Sequence, residues 1–166
     1  MKTQLLYLAL FFLCKDIIAQ NPAAIDPSFI YTTGANSNVT KIKLQNDNKI
    51  ILAGAFTTYN GVSANQIIRL YPTGSKDNSF NSGSGVSGVG SFIHAIAIQS
   101  DGKILIGGDF SIYNGTPANY IARLNSNGTI DTTFQTGVGA NYKVLTIDVL
   151  QSGKILIGGY FFHILL

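Results

Sequence analysis

The chain has 166 residues, 46% of them hydrophobic and only 11% charged, with a formal net charge of +3 at neutral pH. That composition excludes a disordered polar chain, and a balance so near neutral gives no electrostatic footprint for a polyanion such as nucleic acid. The 18 glycines, ten phenylalanines and eight tyrosines suit short strands joined by tight turns better than a helical bundle, so an all-β fold is expected.

In chain order, residues 1–19 come first and stand apart. Lys2 precedes an apolar run from Leu5 to Cys14, and Ala19 offers a small residue for cleavage, the layout of a secretory signal peptide. The run is short for a membrane anchor, which takes about 17–25 apolar residues. Removing 1–19 also removes Cys14, the single cysteine, so the domain left at 20–166 has no disulfide to draw on. The expectations are a secreted or cell-surface location and no integral membrane segment after cleavage.

The domain repeats itself. Lys-Ile-Leu-Ile-Gly-Gly type runs begin at Lys49, Lys103 and Lys154, offsets of 54 and 51. Asp-x-x-Phe falls at Asp26–Phe29, Asp77–Phe80 and Asp131–Phe134, offsets of 51 and 54. Tyr59-Asn60-Gly61 and Arg69-Leu70 return 54 residues later as Tyr113-Asn114-Gly115 and Arg123-Leu124. The three-residue slack lies in the Gly/Ser-rich connector 81–92, where added length costs little loop entropy.

Each unit reads as four short strands, in the middle copy 93–99, 103–108, 120–125 and 129–134. Ser100-Asp101-Gly102 fits a three-residue hairpin loop whose last residue takes the left-handed conformation. Gly153 keeps that residue in the third copy, and Asn48 replaces it in the first. Pro72-Thr73-Gly74 and Ser126-Asn127-Gly128 make the second hairpin in the same way. Their register puts Arg69 opposite Asp77 and Arg123 opposite Asp131, structural cross-strand pairs recurring once per unit. The first hairpin places Ile96, Ile98, Ile104 and Ile106 on one face and Ala95, Ala97, Leu105 and Gly107 on the other. A sheet apolar on both faces needs a neighbour on each side, which a stack of such units supplies. The fold class expected is a partial β-propeller of about three four-stranded antiparallel blades, 51–54 residues each and about 2.8 repeats in all.

The blocks AIAIQSDGKILIGGDF (95–110), YNG (113–115), IARLN (121–125) and NGTIDTTF (127–134) resemble the delta-60 repeat, a β-propeller repeat of secreted bacterial proteins. The likeness covers nearly all of 23–161, with Asn48 and Ala53 as departures in the first copy. It implies an extracellular or cell-surface module with no family-wide catalytic role. Fewer than three units fall short of the about 4–8 blades of a closed propeller, so the expectation is an N-terminal fragment or a chain with an altered C-terminus. The competing expectation is an open arc that self-associates through its open blade edges.

Candidate chemistry is sparse. All eight acidic residues are aspartates and most occupy turn or strand positions set by the repeat, which disfavours a paired-carboxylate hydrolase. His94 and His163 are the only histidines, too few ligands for a transition-metal site. The string 82–90 lacks the Gly-Lys-Ser/Thr of a phosphate loop, and Asn46-Asp47-Asn48 lacks the downstream carboxylate of a calcium loop. No catalytic residue, cofactor or metal is therefore assigned. Two features invite a binding role. Lys43 and Asp148 replace the small Ala97, which suits a solvent-filled channel or a charged partner. Tyr59, Asn60, Tyr113 and Asn114 sit in the segments 57–66 and 111–119, where aromatic-plus-amide loops suit sugar or peptide contact. The reading is a secreted non-catalytic module for adhesion or protein interaction, ahead of a carbohydrate-binding propeller and an extracellular hydrolase or lyase, with the protein or glycan ligand unidentified.

Overall fold

A computed structural model describes residues 27–29, 32–88, 90–137, 139–161 and the strand Ile164–Leu165. Residues 1–19, Asp26 and His163 lie outside the described residues, as do the expectations that fall on them.

Every regular element among the described residues is a strand. Val39–Leu44, Ile50–Gly54 and Ile67–Leu70 form the first sheet in that order; Phe92–Ile98, Ile104–Asp109 and Ile121–Leu124 form the central sheet; Val144–Val149 and Ile155–Gly159 pair as the third. All pairings are antiparallel. The first strands of the three sheets lie side by side, so the sheets radiate from a common centre.

The turns set this register. In the first hairpins Asn48, Gly102 and Gly153 have φ of 62°, 80° and 81°, the left-handed values that glycine tolerates and asparagine tolerates next best. The second hairpins end on Gly74 and Gly128 at 82° and 86°. The register that follows sets Ile96 opposite Ile106, Ile98 opposite Ile104, Ala97 opposite Leu105 and Ala95 opposite Gly107. One face of the central sheet, with Ile96, Ile104 and Ile106, packs against Ile51, Ala53 and Ile67 of the first sheet. Its other face, with Ala95, Ala97 and Leu105, packs against Val144 and Ile147 of the third.

Two glycines of the repeated Ile-Gly-Gly serve different approaches. A Cβ on Gly108 would strike the carbonyl oxygen of Phe92, because the first strand bulges towards it between Ile93 and Ala95. Gly54 and Gly159 face the equivalent carbonyls of Asn38 and Lys143. Gly107 instead makes room between sheets: its Cβ would come within 2.6 Å of Val144 Cγ1 and 2.9 Å of Ile147 Cδ1.

Two expectations change. The fourth strand of each unit is reduced to a single bridge, Leu70 with Lys76 and Leu124 with Ile130. The aspartate that follows draws the chain out of the ladder: Asp131 Oδ1 accepts hydrogen bonds from the N–H and the hydroxyl of Thr133, at 3.0 and 2.6 Å. Asp77 does the same with Ser79, at 2.9 and 2.6 Å. The segments read as loops are also hairpins. Thr58–Tyr59 pairs with Val62–Ser63, and Ile112–Tyr113 with Thr116–Pro117 and with Val86–Ser87 of the connector. Asn60-Gly61 and Asn114-Gly115 turn them with positive φ at both residues, the geometry that asparagine-glycine favours.

Candidate functional site

The densest charge among the described residues is an Asp-Arg-Lys cluster that occurs twice, joined in the first copy by Asp47 at 3.5 Å from Lys49 Nζ. Asp77, with no exposed side-chain surface, accepts from Arg69 Nε at 2.8 Å and lies 3.2 Å from Lys49 Nζ. Asp131 accepts from Arg123 Nε at 2.8 Å and lies 3.0 Å from Lys103 Nζ. The cross-strand pairs thus stand at the positions the register dictates, with a lysine of the second strand added to each. Each guanidinium also covers a ring, Phe80 at 5.0 Å and Phe134 at 4.6 Å from the centroid. Burial would raise the Asp77 carboxyl, but the Ser79 hydroxyl and amide, Lys49 and Arg69 together hold it well below the usual carboxylate range. Asp131 is held down likewise, chiefly by the Thr133 hydroxyl and Lys103. Such carboxylates bind protons weakly, which suits anchoring and works against general-acid chemistry.

The tyrosines proposed for ligand contact lie inside the protein. Tyr113 is fully buried and its hydroxyl donates to the Gly128 carbonyl at 2.7 Å; Tyr59 is 6% exposed. Burial pushes both phenols above their ordinary value. The rings fill the space beside Phe110 and Phe56, so the segments 57–66 and 111–119 present no aromatic platform there. The asparagines serve the turns. Asn60 Oδ1 accepts from the amides of Thr32 and Gly34, at 3.1 and 2.9 Å, and Asn114 Oδ1 accepts from Ser84 at 3.1 Å. Each docks its hairpin onto the chain arriving from the preceding unit.

His94 falls at the bulge of the central first strand and stacks on Phe92 at 6.2 Å. Burial lowers its pKa, with Lys143 and Lys41 adding to the effect against the pull of Asp109. Asp109, buried, takes a 2.7 Å ion pair from Lys143 across the seam between the central and third sheets. The repeat pattern gives no sign of this pair, because Lys143 and Asp109 have no counterpart in the other units. Lys43 and Asp148 both occupy the position of Ala97, and both are exposed. No group of three or more His, Cys, Asp or Glu side chains among the described residues could hold a metal ion.

The open surfaces are apolar. On the outer flank of the first sheet Ile42 and Leu44 are 64% and 65% exposed, although Ile96, the counterpart of Ile42, is buried. Phe29 packs on that flank beside Leu52 and Phe56, as Phe80 packs beside Ile106 and Phe110. On the far flank of the third sheet Leu156 is 52% exposed, where its counterpart Leu105 is buried. Beside the third sheet a cleft of about 460 Å³ is lined by Ile121, Phe134, Ala140, Lys154, Ile155 and Ile157.

A repeated fan of antiparallel sheets with interlocking apolar faces is a β-propeller architecture. The family described as "Domain of unknown function (DUF5122) beta-propeller" matches residues 45–80 and 99–134, each stretch running from a first-hairpin turn to the phenylalanine that closes the unit. The chain is a β-propeller repeat protein. No match was found among curated proteins or among solved structures.

Proposed function

We propose that the chain is a secreted, non-catalytic β-propeller module of the delta-60 repeat kind, of bacterial origin, acting in adhesion or protein interaction at the cell surface. The observation that supports this most is where the carboxylates are spent. Asp77 and Asp131 each hold an arginine and a lysine, and Asp109 holds Lys143. Asp47 and Asp101 accept from the amides of Lys49 and Lys103 in the hairpin turns, at 3.2 and 3.0 Å. Acidic groups committed to the scaffold leave the exposed apolar flanks as the distinctive surface, and exposed patches of that kind are contact sites for other proteins. The carbohydrate-binding alternative loses the two rings on which it stood.

Secretion rests on Lys2, the run Leu5–Cys14 and Ala19. The full chain fused to a reporter enzyme active only outside the cytoplasm tests it. Reporter activity with processing near Ala19 is expected; an unprocessed intracellular product rejects the location. Turnover assays on polysaccharides and peptides address catalysis. Turnover that is lost in an aspartate-to-asparagine variant retaining the wild-type fold would replace the module reading with a hydrolase or lyase.

A further inference from the structure

In a repeat the side chains that the scaffold requires recur, and those that do not recur are free to serve something else. At the end of the sheets opposite the first-hairpin turns, equivalent positions carry unlike residues. The carbonyls packed on Gly54, Gly108 and Gly159 belong to Asn38, Phe92 and Lys143. The residues just before these are Ser37, Ser91 and Tyr142, and the residues after the three glycines are Ala55, Asp109 and Tyr160. The bulges of the first two sheets fall at Thr40 and His94. The amides of Gly54 and Gly108 donate to the carbonyls of Gln66 and Tyr120, both at positive φ.

Six of the non-recurring residues form one continuous network where the central and third sheets meet. Phe92 faces Asp109 across the ladder and stacks on His94 at 6.2 Å. Asp109 holds Lys143 at 2.7 Å, and Lys143 Nζ lies 5.5 Å from the centroid of the Tyr142 ring. That ring packs 6.0 Å from Tyr120. Phe92 and Tyr142 are 41% and 43% exposed, so two half-open rings flank a carboxylate–ammonium pair. Asp109 Oδ1, buried, has no hydrogen-bond partner among the described residues. Every member belongs to the central unit or to the stretch leading into Val144–Val149, and the first strands of these two sheets pack side by side, so the set does not depend on what covers either outer flank.

We propose that this network is a saccharide-binding platform. An acceptor beside a donor, set between two aromatic faces, suits a ligand whose own surface alternates apolar C–H faces with hydroxyls. The pyranose faces lie on Phe92 and Tyr142. A ring hydroxyl donates to Asp109 Oδ1 and Lys143 donates to the neighbouring oxygen, so the carboxylate and the ammonium, 2.7 Å apart at their nearest atoms, read two adjacent oxygens of one sugar. His94 and Tyr120 steady the two rings by their contacts. None of Tyr59, Asn60, Tyr113 and Asn114 takes part. The inference goes beyond the proposed role in protein contact and is independent of secretion, because its test uses the purified protein. Failure of the reporter assay leaves it standing, and its own failure leaves protein contact standing.

The probes are cellohexaose, chitohexaose and mannohexaose, each titrated into the full chain and followed by calorimetry, with hexaproline as the peptide control. Saturable binding of at least one oligosaccharide is expected. Tyr142→Ala and Phe92→Ala should each weaken it by about five- to tenfold, and Tyr142→Phe should retain it, because stacking needs the ring and not its hydroxyl. Both rings are half exposed, so these variants spare the core; unchanged denaturation midpoints check it. Tyr113→Phe should bind as the wild type does. No saturable binding of any of the three oligosaccharides overturns the proposal. So does binding that survives both alanine variants. Hexaproline binding of equal strength overturns it too, since the rings would then be a peptide-contact patch.

Discussion

Between the first and central sheets, Arg69 reaches across the seam to the carbonyl of Ser126, and the amide of Asn81 donates to the carbonyl of Asn127 at 2.7 Å. Between the central and third sheets, Lys143 bridges the seam to Asp109 at 2.7 Å. The Arg69 side chain is 7% exposed and that of Arg123 18%. The two seams are thus fastened by different side chains: Arg69, a residue set by the repeat, crosses the first, and Lys143, which the repeat does not specify, crosses the second.

The strongest way to break this comparison is at the buried carboxylates. Asp77→Ala should cost about 3–5 kcal/mol in chemical denaturation, because it strands Arg69 without an anion in a dry site. Asp131→Ala should cost less, since the Arg123 side chain it strands is 18% exposed against 7% for Arg69, and equal losses would contradict that difference in burial. Acid probes the same groups. Both carboxyls lie below their ordinary value in the fold, so their stabilisation is complete above about pH 4 and is lost as the pH falls through that value towards the folded one. Asparagine at both positions should flatten that limb of a stability–pH curve.

A lesser effect belongs to the second seam. Gly107→Val should cost about 1–3 kcal/mol by crowding Val144 and Ile147, and amide exchange should speed up in Val144–Val149 with little change in Val39–Leu44. Lys143→Gln takes the cation from buried Asp109 and leaves its charge uncompensated, so it should cost at least as much as Tyr113→Phe. It should sharpen the comparison by weakening only the second seam, read again by exchange at Val144–Val149. Tyr113→Phe should cost about 1 kcal/mol, since it leaves the Gly128 carbonyl without its buried donor.

The period, the three-residue turns and the two apolar faces were legible because each follows from backbone rules acting within about a dozen residues. Gly102 needed a left-handed φ, and the loop length then fixed which side chains shared a face. The side hairpins were legible in principle too, since asparagine-glycine is the strongest short hairpin signal, but aromatic rings beside an amide read equally well as a binding loop. Their burial is decided by what the next sheet brings against them. The fourth strand failed for a related reason: 129–134 alternates like a strand, yet Asp131 satisfies its own neighbours' donors and ends the ladder after one bridge. Lys143 with Asp109 was illegible because nothing in one unit specifies the side chain that the adjacent unit will present. The lysine in each charge cluster was visible as a repeated residue, and only its distance from the aspartate gave it a meaning.

On the face of the central sheet that meets the third, side-chain volume is graded outward. Ala95 and Ala97 sit on the first strand, where sheets meet most closely, while Leu105 and Ile121 lie farther out. A gradient of that kind works as a wedge, and the angle of the wedge fixes how many wedges make a full circle. Enlarging Ala97 would therefore hold the inner edges of the central and third sheets farther apart and narrow the wedge between them, so the size of that one side chain helps to set how sharply one sheet turns from the next.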